Sequence, residues 1–162
     1  MKFKDSVLHG PHSQLASLAG NWEGEIEVWF DADAPPERGQ LVGTIQTMLD
    51  QRFIRFEYSN SMQGETHSGM LLIGYYLVRK ACTISWIDSF HTGTQILQLE
   101  STKPGEEIFE GKGAYSDPSG GPDWFWRIVI EPLPENKLAI SHYNIHPNEQ
   151  QDTAIRILLQ RK

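Results

Sequence analysis

Gly20-Asn21-Trp22-Glu23-Gly24-Glu25-Ile26-Glu27-Val28-Trp29-Phe30 is the stretch on which the fold turns. Trp22, Ile26, Val28 and Phe30 recur at even positions with Gly24 between them, while Glu23, Glu25 and Glu27 take the odd ones. Period two is the pattern of a strand with one apolar and one solvated face. The glutamates therefore read as an outer surface rather than as a carboxylate cluster for a metal. A second stretch, Asp152 to Arg161, alternates in the same way: Thr153, Ile155, Ile157, Leu159 and Arg161 share a face.

Between these two segments the alternation continues, and short polar breaks such as Asp50-Gln51 and Pro134-Glu135-Asn136 divide it. The pattern predicts about ten strands, near 22–30, 40–49, 52–60, 66–76, 80–90, 93–101, 106–114, 123–131, 137–145 and 152–161. Regularly spaced antiparallel strands favour a closed barrel, because closure leaves no unpaired edge. With an even strand count, strand ten runs antiparallel to strand one and ends where strand one begins. Arg161 should then lie beside Trp22. Ser13 to Leu18 reads as a short helix with Ser13 as its N-cap. Residues 1–20 thus read as a leader carrying this helix, within a single domain spanning 1–162.

Composition narrows the function classes. A chain of 162 residues supports one sizeable core, and 39% hydrophobic residues with five Trp is not a disordered composition. The net charge of −7 argues against binding to nucleic acid or to an anionic membrane surface. A lone cysteine, Cys82, marks no disulfide scaffold and reads as core. Neither a signal-peptide h-region nor a run of ~18 apolar residues is present, so the expected location is cytoplasmic. Nothing in the residue pattern marks or excludes a homo-oligomer.

The pairing of Gly20-x-Trp22 with a closing Arg161 resembles the closure of calycin barrels, the superfamily of lipocalins, fatty-acid-binding proteins and nitrobindins. The resemblance implies an all-β, closed antiparallel up-and-down barrel, with the arginine packed across the tryptophan and a short N-terminal helical plug at that end. Leu18 to Glu25 is similar to the opening of nitrobindin-type barrels. Gly69, Gly74-Tyr75, Trp86-Ile87-Asp88-Ser89 and His91-Thr92-Gly93 are similar to a bacterial domain-of-unknown-function family numbered 1579, over about Leu15 to Lys162. Nitrobindins hold haem iron through a histidine near the C-terminus. Here Asp152 to Arg161 contains no histidine, so neither haem nor another cofactor is expected.

Loops after odd-numbered strands are the richer ones: Asp31 to Gly39, Ser61 to Glu65, His91-Thr92, Tyr115 to Pro122 and His146 to Gln151. They gather at the end opposite Trp22, where a ligand should enter. Phe30, Tyr58, Trp86, Phe90, Tyr115, Trp124 and Trp126 fall at or near that mouth. With Asp88, His91 and His142 they would form an apolar pocket carrying a few polar groups. Asp88 shares the inner face with Cys82, Ile84, Trp86 and Phe90, and a buried carboxylate needs a partner. Arg127 is the plausible partner; the alternative is that Asp88 caps the following turn. His142 follows Leu138 and Ile140 inward.

The candidate ligand-binding residues are therefore Tyr58, Trp86, Asp88, His91, Trp124, Trp126, Arg127 and His142. The favoured function is binding of a small, largely apolar molecule in a barrel cavity. The alternative is an enzyme that uses Asp88 or His142 as general acid or base on a carbonyl or phenolic compound. No metal is expected, since His142 and His146 lie about 13 Å apart along a strand and cannot share one ion. The pair His9 and His12 lies in the leader. There is no Gly-x-Ser-x-Gly elbow, and Gly111-x-Gly113 and Gly120-Gly121 precede no helix.

Overall fold

The computed structural model describes residues 1–106 and 108–162. Ten antiparallel strands close into one barrel, each paired with its sequence neighbours, and β1 meets β10 across the seam. In chain order they are β1 (Gly20–Val28), β2 (Glu37–Met48), β3 (Phe53–Met62), β4 (Glu65–Tyr76), β5 (Ala81–Asp88), β6 (Leu97–Glu100), β7 (Glu110–Tyr115), β8 (Trp124–Leu133), β9 (Lys137–Ile145) and β10 (Gln151–Arg161). Two short helices precede them, α1 (Phe3–His9) and α2 (Pro11–Ala16). Among the described residues no helix is long and apolar enough to cross a membrane.

Alternation sorts the side chains as expected. Trp22, Ile26 and Val28 of β1, and Ile155, Ile157 and Leu159 of β10, are buried. Glu27 pairs with Arg38 at 3.0 Å and Glu23 with Lys162 at 2.6 Å on the outer surface. The inner faces of all the longer strands contribute to one apolar cluster, with Phe56, Leu71, Ile84, Trp86, Ile128 and Ile140 almost fully enclosed. Side chains of this bulk fill the barrel around Trp86, so a wide cavity through its length is replaced by a packed interior. One cleft opens at the mouth, between the loops that follow odd-numbered strands.

The sealed end is built as the parity argument requires. Trp22 stands opposite Arg161 in the β1–β10 register, and the guanidinium lies 4.5 Å from the indole centroid. The same guanidinium donates to the carbonyls of Ala19 and of Ser17, the latter at 2.8 Å. Trp22 Nε1–H donates to the Leu18 carbonyl at 3.0 Å. Leu15 of α2 and Leu18 enter the core cluster, which makes the helical segment a plug. Gly20 has φ +148°, a conformation that favours glycine, and a Cβ there would stand 2.8 Å from an Arg161 nitrogen and push the guanidinium aside.

Several local expectations need correcting. The N-terminal segment forms two helices, and the N-cap of α2 is Gly10, with Pro11 at the first helical position. Pro11 removes an amide that a helix start leaves unpaired, and Gly10 breaks α1 from α2. Ser13 therefore lies inside α2. His12 is buried, with Nδ1 2.8 Å from Ser6 Oγ; burial, then the charge of Arg52, pulls its pKa down. It is a packing residue of the plug.

Phe30 lies past the end of β1 and is 55% exposed. The sixth strand starts at Leu97 rather than 93, because Asp88 turns the chain off the sheet. The start of the predicted seventh strand includes residue 107, which lies outside the described residues, and its ladder begins at Glu110. Finally, the β9–β10 register shifts between Thr153 and Ile155. This bulge breaks the alternation at the mouth: Thr153 pairs with outward Tyr143, and Asp152 pairs with Asn144.

The closure yields a stability prediction. Trp22→Ala should cost ~3–5 kcal/mol, the usual cost of emptying a buried aromatic site. Urea unfolding followed by circular dichroism measures it, and an unchanged midpoint would contradict the burial.

Candidate functional site

Gly69 determines how β3, β4 and β5 come together. A Cβ on it would stand 2.2 Å from the Tyr58 hydroxyl and 2.9 Å from Asp88 Oδ2. Without that Cβ, Tyr58 reaches over β4 and its O–H donates to Asp88 Oδ2 at 2.6 Å. Trp86 Nε1–H donates to the same hydroxyl oxygen at 3.0 Å. A relay of three side chains thus joins the Trp86 indole to the Asp88 carboxylate.

The other carboxylate oxygen holds the turn after β5. Asp88 Oδ1 accepts the amides of Phe90 (2.7 Å) and His91 (2.8 Å), and His91 Nδ1 lies 3.3 Å away. Thr92 Oγ1 accepts the Asp88 amide at 2.8 Å. Burial alone would raise the Asp88 pKa, but these hydrogen bonds from His91, Tyr58 and the backbone outweigh it and hold it at about 2. Tyr58 moves the other way: burial and the adjacent Asp88 charge raise its pKa, so it keeps the proton it donates.

The expected pairing of Asp88 with Arg127 is therefore replaced. Arg127 alternates with Trp126 and Ile128 and faces outward, where it donates to Glu110 Oε1 and, at 3.2 Å, to Gln151 Oε1. Its position follows from the register, which sets it between Lys112 and Tyr143 on the outer wall.

Trp86 and Trp126 stack at 5.4 Å with their planes 26° apart. His142 packs edge-on to Trp86 at 4.8 Å, and its Nδ1 accepts the Trp126 Nε1–H at 3.0 Å. Burial, and then the proximity of His91, push the His142 pKa down to about 3 against a small opposing pull from Asp88. The ring is thus neutral, and Trp126 dictates the tautomer: Nδ1 accepts and Nε2 carries the hydrogen. Above this floor Phe90 contacts Phe30 at 5.7 Å, His67 at 4.7 Å and His91 at 4.8 Å between ring centres.

A cleft of about 380 Å³ opens at the mouth, walled by Trp29, Phe30, Phe90, Trp124 and Trp126 and bordered by His91, Asn144, His146 and Asp152. Trp124 lies 4.3 Å from the His146 ring, whose Nε2 is 2.6 Å from Asp152 Oδ2. Gln150 Nε2 also donates to Asp152 at 3.1 Å, and these two bonds pull the Asp152 pKa down. Tyr115 donates to Asn144 Oδ1.

The structure thus gathers Tyr58, Trp86, Asp88, His91, Trp126 and His142 into one contact network, adds Trp124 at its rim and sets Arg127 outside it. Trp29, Asn144 and the His146–Asp152 pair escaped the sequence reading. The flanking of one hairpin by His146 and Asp152 was the available signal for that pair. Among the described residues, no group of three or more His, Cys, Asp or Glu is arranged to hold a metal ion.

Fold and site together define a closed ten-stranded barrel with an aromatic cleft at one end. A family model described as "Protein of unknown function (DUF1579)" matches residues 8–161, and the chain belongs to that family. No curated protein matches it.

Two acid-sensitive groups at the floor generate a prediction. Both have folded pKa values below their unfolded ones, so both stabilise the fold at neutral pH and lose that contribution as pH falls. For His142 the window runs from about 6.5 to about 3. For Asp88 it runs from 3.8 to about 2 and corresponds to about 2 kcal/mol. His142→Gln should flatten the decline in urea midpoint between pH 6.5 and 4, and Tyr58→Phe should leave that part of the curve unchanged.

Proposed function

We propose that the protein is a calycin-like binding barrel that takes a small, largely apolar, ring-containing ligand in its mouth cleft. The observation that carries this reading is the cleft itself: about 380 Å³ of open volume at the loop-rich end, walled by aromatics and bordered by a few polar groups. That composition is the usual one of a small-molecule site. The calycin comparison is supported by the Arg161–Trp22 stack at the opposite end. A cytoplasmic location goes with the reading, since a chain with a single cysteine, Cys82, cannot form an internal disulfide.

Acid–base catalysis by Asp88 or His142 fits less well. The Asp88 oxygens are engaged by Tyr58 and by two backbone amides, and a pKa of about 2 makes the carboxylate a weak base. His142 at about 3 has no proton to give as imidazolium near neutral pH. Binding uses the same groups as fixed donors and acceptors and needs no titration.

An apolar fluorescent probe such as naphthalene should quench tryptophan emission on binding. Trp126→Phe should remove much of that quenching, and Trp22→Phe, at the sealed end, should not. Ala154→Trp fills the cleft and should weaken binding more than tenfold, at an overpacking cost of ~1–3 kcal/mol. Tight binding that survives Ala154→Trp would place the ligand elsewhere.

A further inference from the structure

The β9–β10 hairpin carries a titratable pair that takes no part in the network at the floor. His146 follows β9, Asp152 lies at the start of β10, and both border the mouth cleft. Strand parity alone would turn Asp152 outward, since Ile155, Ile157 and Leu159 are the buried residues of β10. The bulge between Thr153 and Ile155 reverses this, and Asp152 stands opposite Asn144, which also borders the cleft. Re-aiming a side chain beside a site is a common use of a bulge. The turn itself is tied: the His146 amide donates to the Gln150 carbonyl at 2.9 Å, and the Glu149 amide to the His146 carbonyl at 2.9 Å.

Charge fixes the hydrogen-bond roles within the pair. Hydrogen bonds from Gln150 and then from His146 pull the Asp152 pKa down, so its carboxylate is ionised near neutral pH and can only accept. Oδ1 takes the Gln150 amide at 3.1 Å, and Oδ2 lies 2.6 Å from His146 Nε2. The hydrogen of that contact therefore sits on Nε2. In the neutral ring the other nitrogen, Nδ1, is then an acceptor. Among the described residues nothing donates to it. Trp124 lies against the ring at 4.3 Å between centres, and the His146 side chain remains 28% exposed.

We infer that His146 Nδ1 is the polar anchor of the mouth cleft: it accepts a hydrogen bond from a neutral donor on a ring-bearing ligand, a phenolic hydroxyl being the simplest, and Asp152 is its positioning residue. This rests on the mouth-cleft binding reading and gives it a ligand class. An ionised carboxylate is a poor alternative, because it has no hydrogen to offer Nδ1 and would enter beside the Asp152 charge. The ligand's ring lies against Trp124 and Trp126, which wall the same cleft.

The test is a matched series, 2-naphthol, 2-methoxynaphthalene and 2-naphthoate, titrated by calorimetry near neutral pH. 2-Naphthol should bind about tenfold tighter than the methyl ether, which keeps the oxygen and lacks the hydrogen. His146→Phe keeps a ring against Trp124 and removes the acceptor, so the preference for naphthol over its ether should disappear. Asp152→Ala should weaken the same preference by releasing the ring, with circular dichroism checking the fold of both variants. Nitrogen-15 spectra of the unchanged chain give a signature independent of any variant's folding: the His146 Nδ1 resonance should move far more with 2-naphthol than with the ether. Equal affinity for naphthol and ether, a preference or a resonance shift that does not depend on His146, or naphthoate binding tighter than naphthol overturns the anchor while leaving the binding function standing. Absence of binding by all three overturns both.

Discussion

The Arg161 guanidinium is the point where the two ends of the chain are fastened. It lies over the Trp22 indole and donates to carbonyls at Ser17 and Ala19. One planar group thus ties β10 to β1 and to the segment linking the helical plug to the barrel. Lysine lacks this geometry, since its point charge has no flat face to stack and no fork to reach two carbonyls. Gly20 leaves the space the guanidinium occupies. Barrel closure, plug docking and burial of the first tryptophan are consequences of one arrangement.

A comparable economy holds at the open end, where the absence of one Cβ at Gly69 brings Tyr58 to Asp88. Tyr58 orients Trp86, and Asp88 orients the turn that carries Phe90 and His91. Trp86 supports Trp126, which selects the His142 tautomer. The floor of the cleft is therefore held in place by its own hydrogen bonds and ring contacts.

The closure was readable because its evidence is local parity plus an even strand count. Trp22 and Arg161 each sit on the apolar face of a clearly alternating strand, and antiparallel order brings those ends together. The strands were readable for the same reason, within a few residues. Arg127 was not, because Trp124 to Ile130 is apolar on both faces except at that position, so alternation has no contrast to work with. The bulge before Ile155 leaves no mark in hydrophobic pattern, and it decides that Asp152 lies opposite Asn144. The Tyr58–Asp88 bond joins residues 30 apart through a glycine on a third strand, which spacing alone does not reveal.

Asp88 shows how structural and functional readings of one residue converge. As a turn cap it satisfies two amides that would otherwise point into the barrel mouth unpaired. Those same bonds keep it ionised inside a largely apolar wall, where an isolated carboxylate would take up a proton. His142 has the opposite history: burial keeps it neutral, and its Nδ1 accepts the Trp126 N–H. Burial favours the neutral form of both side chains, and only Asp88 has the hydrogen bonds to resist it.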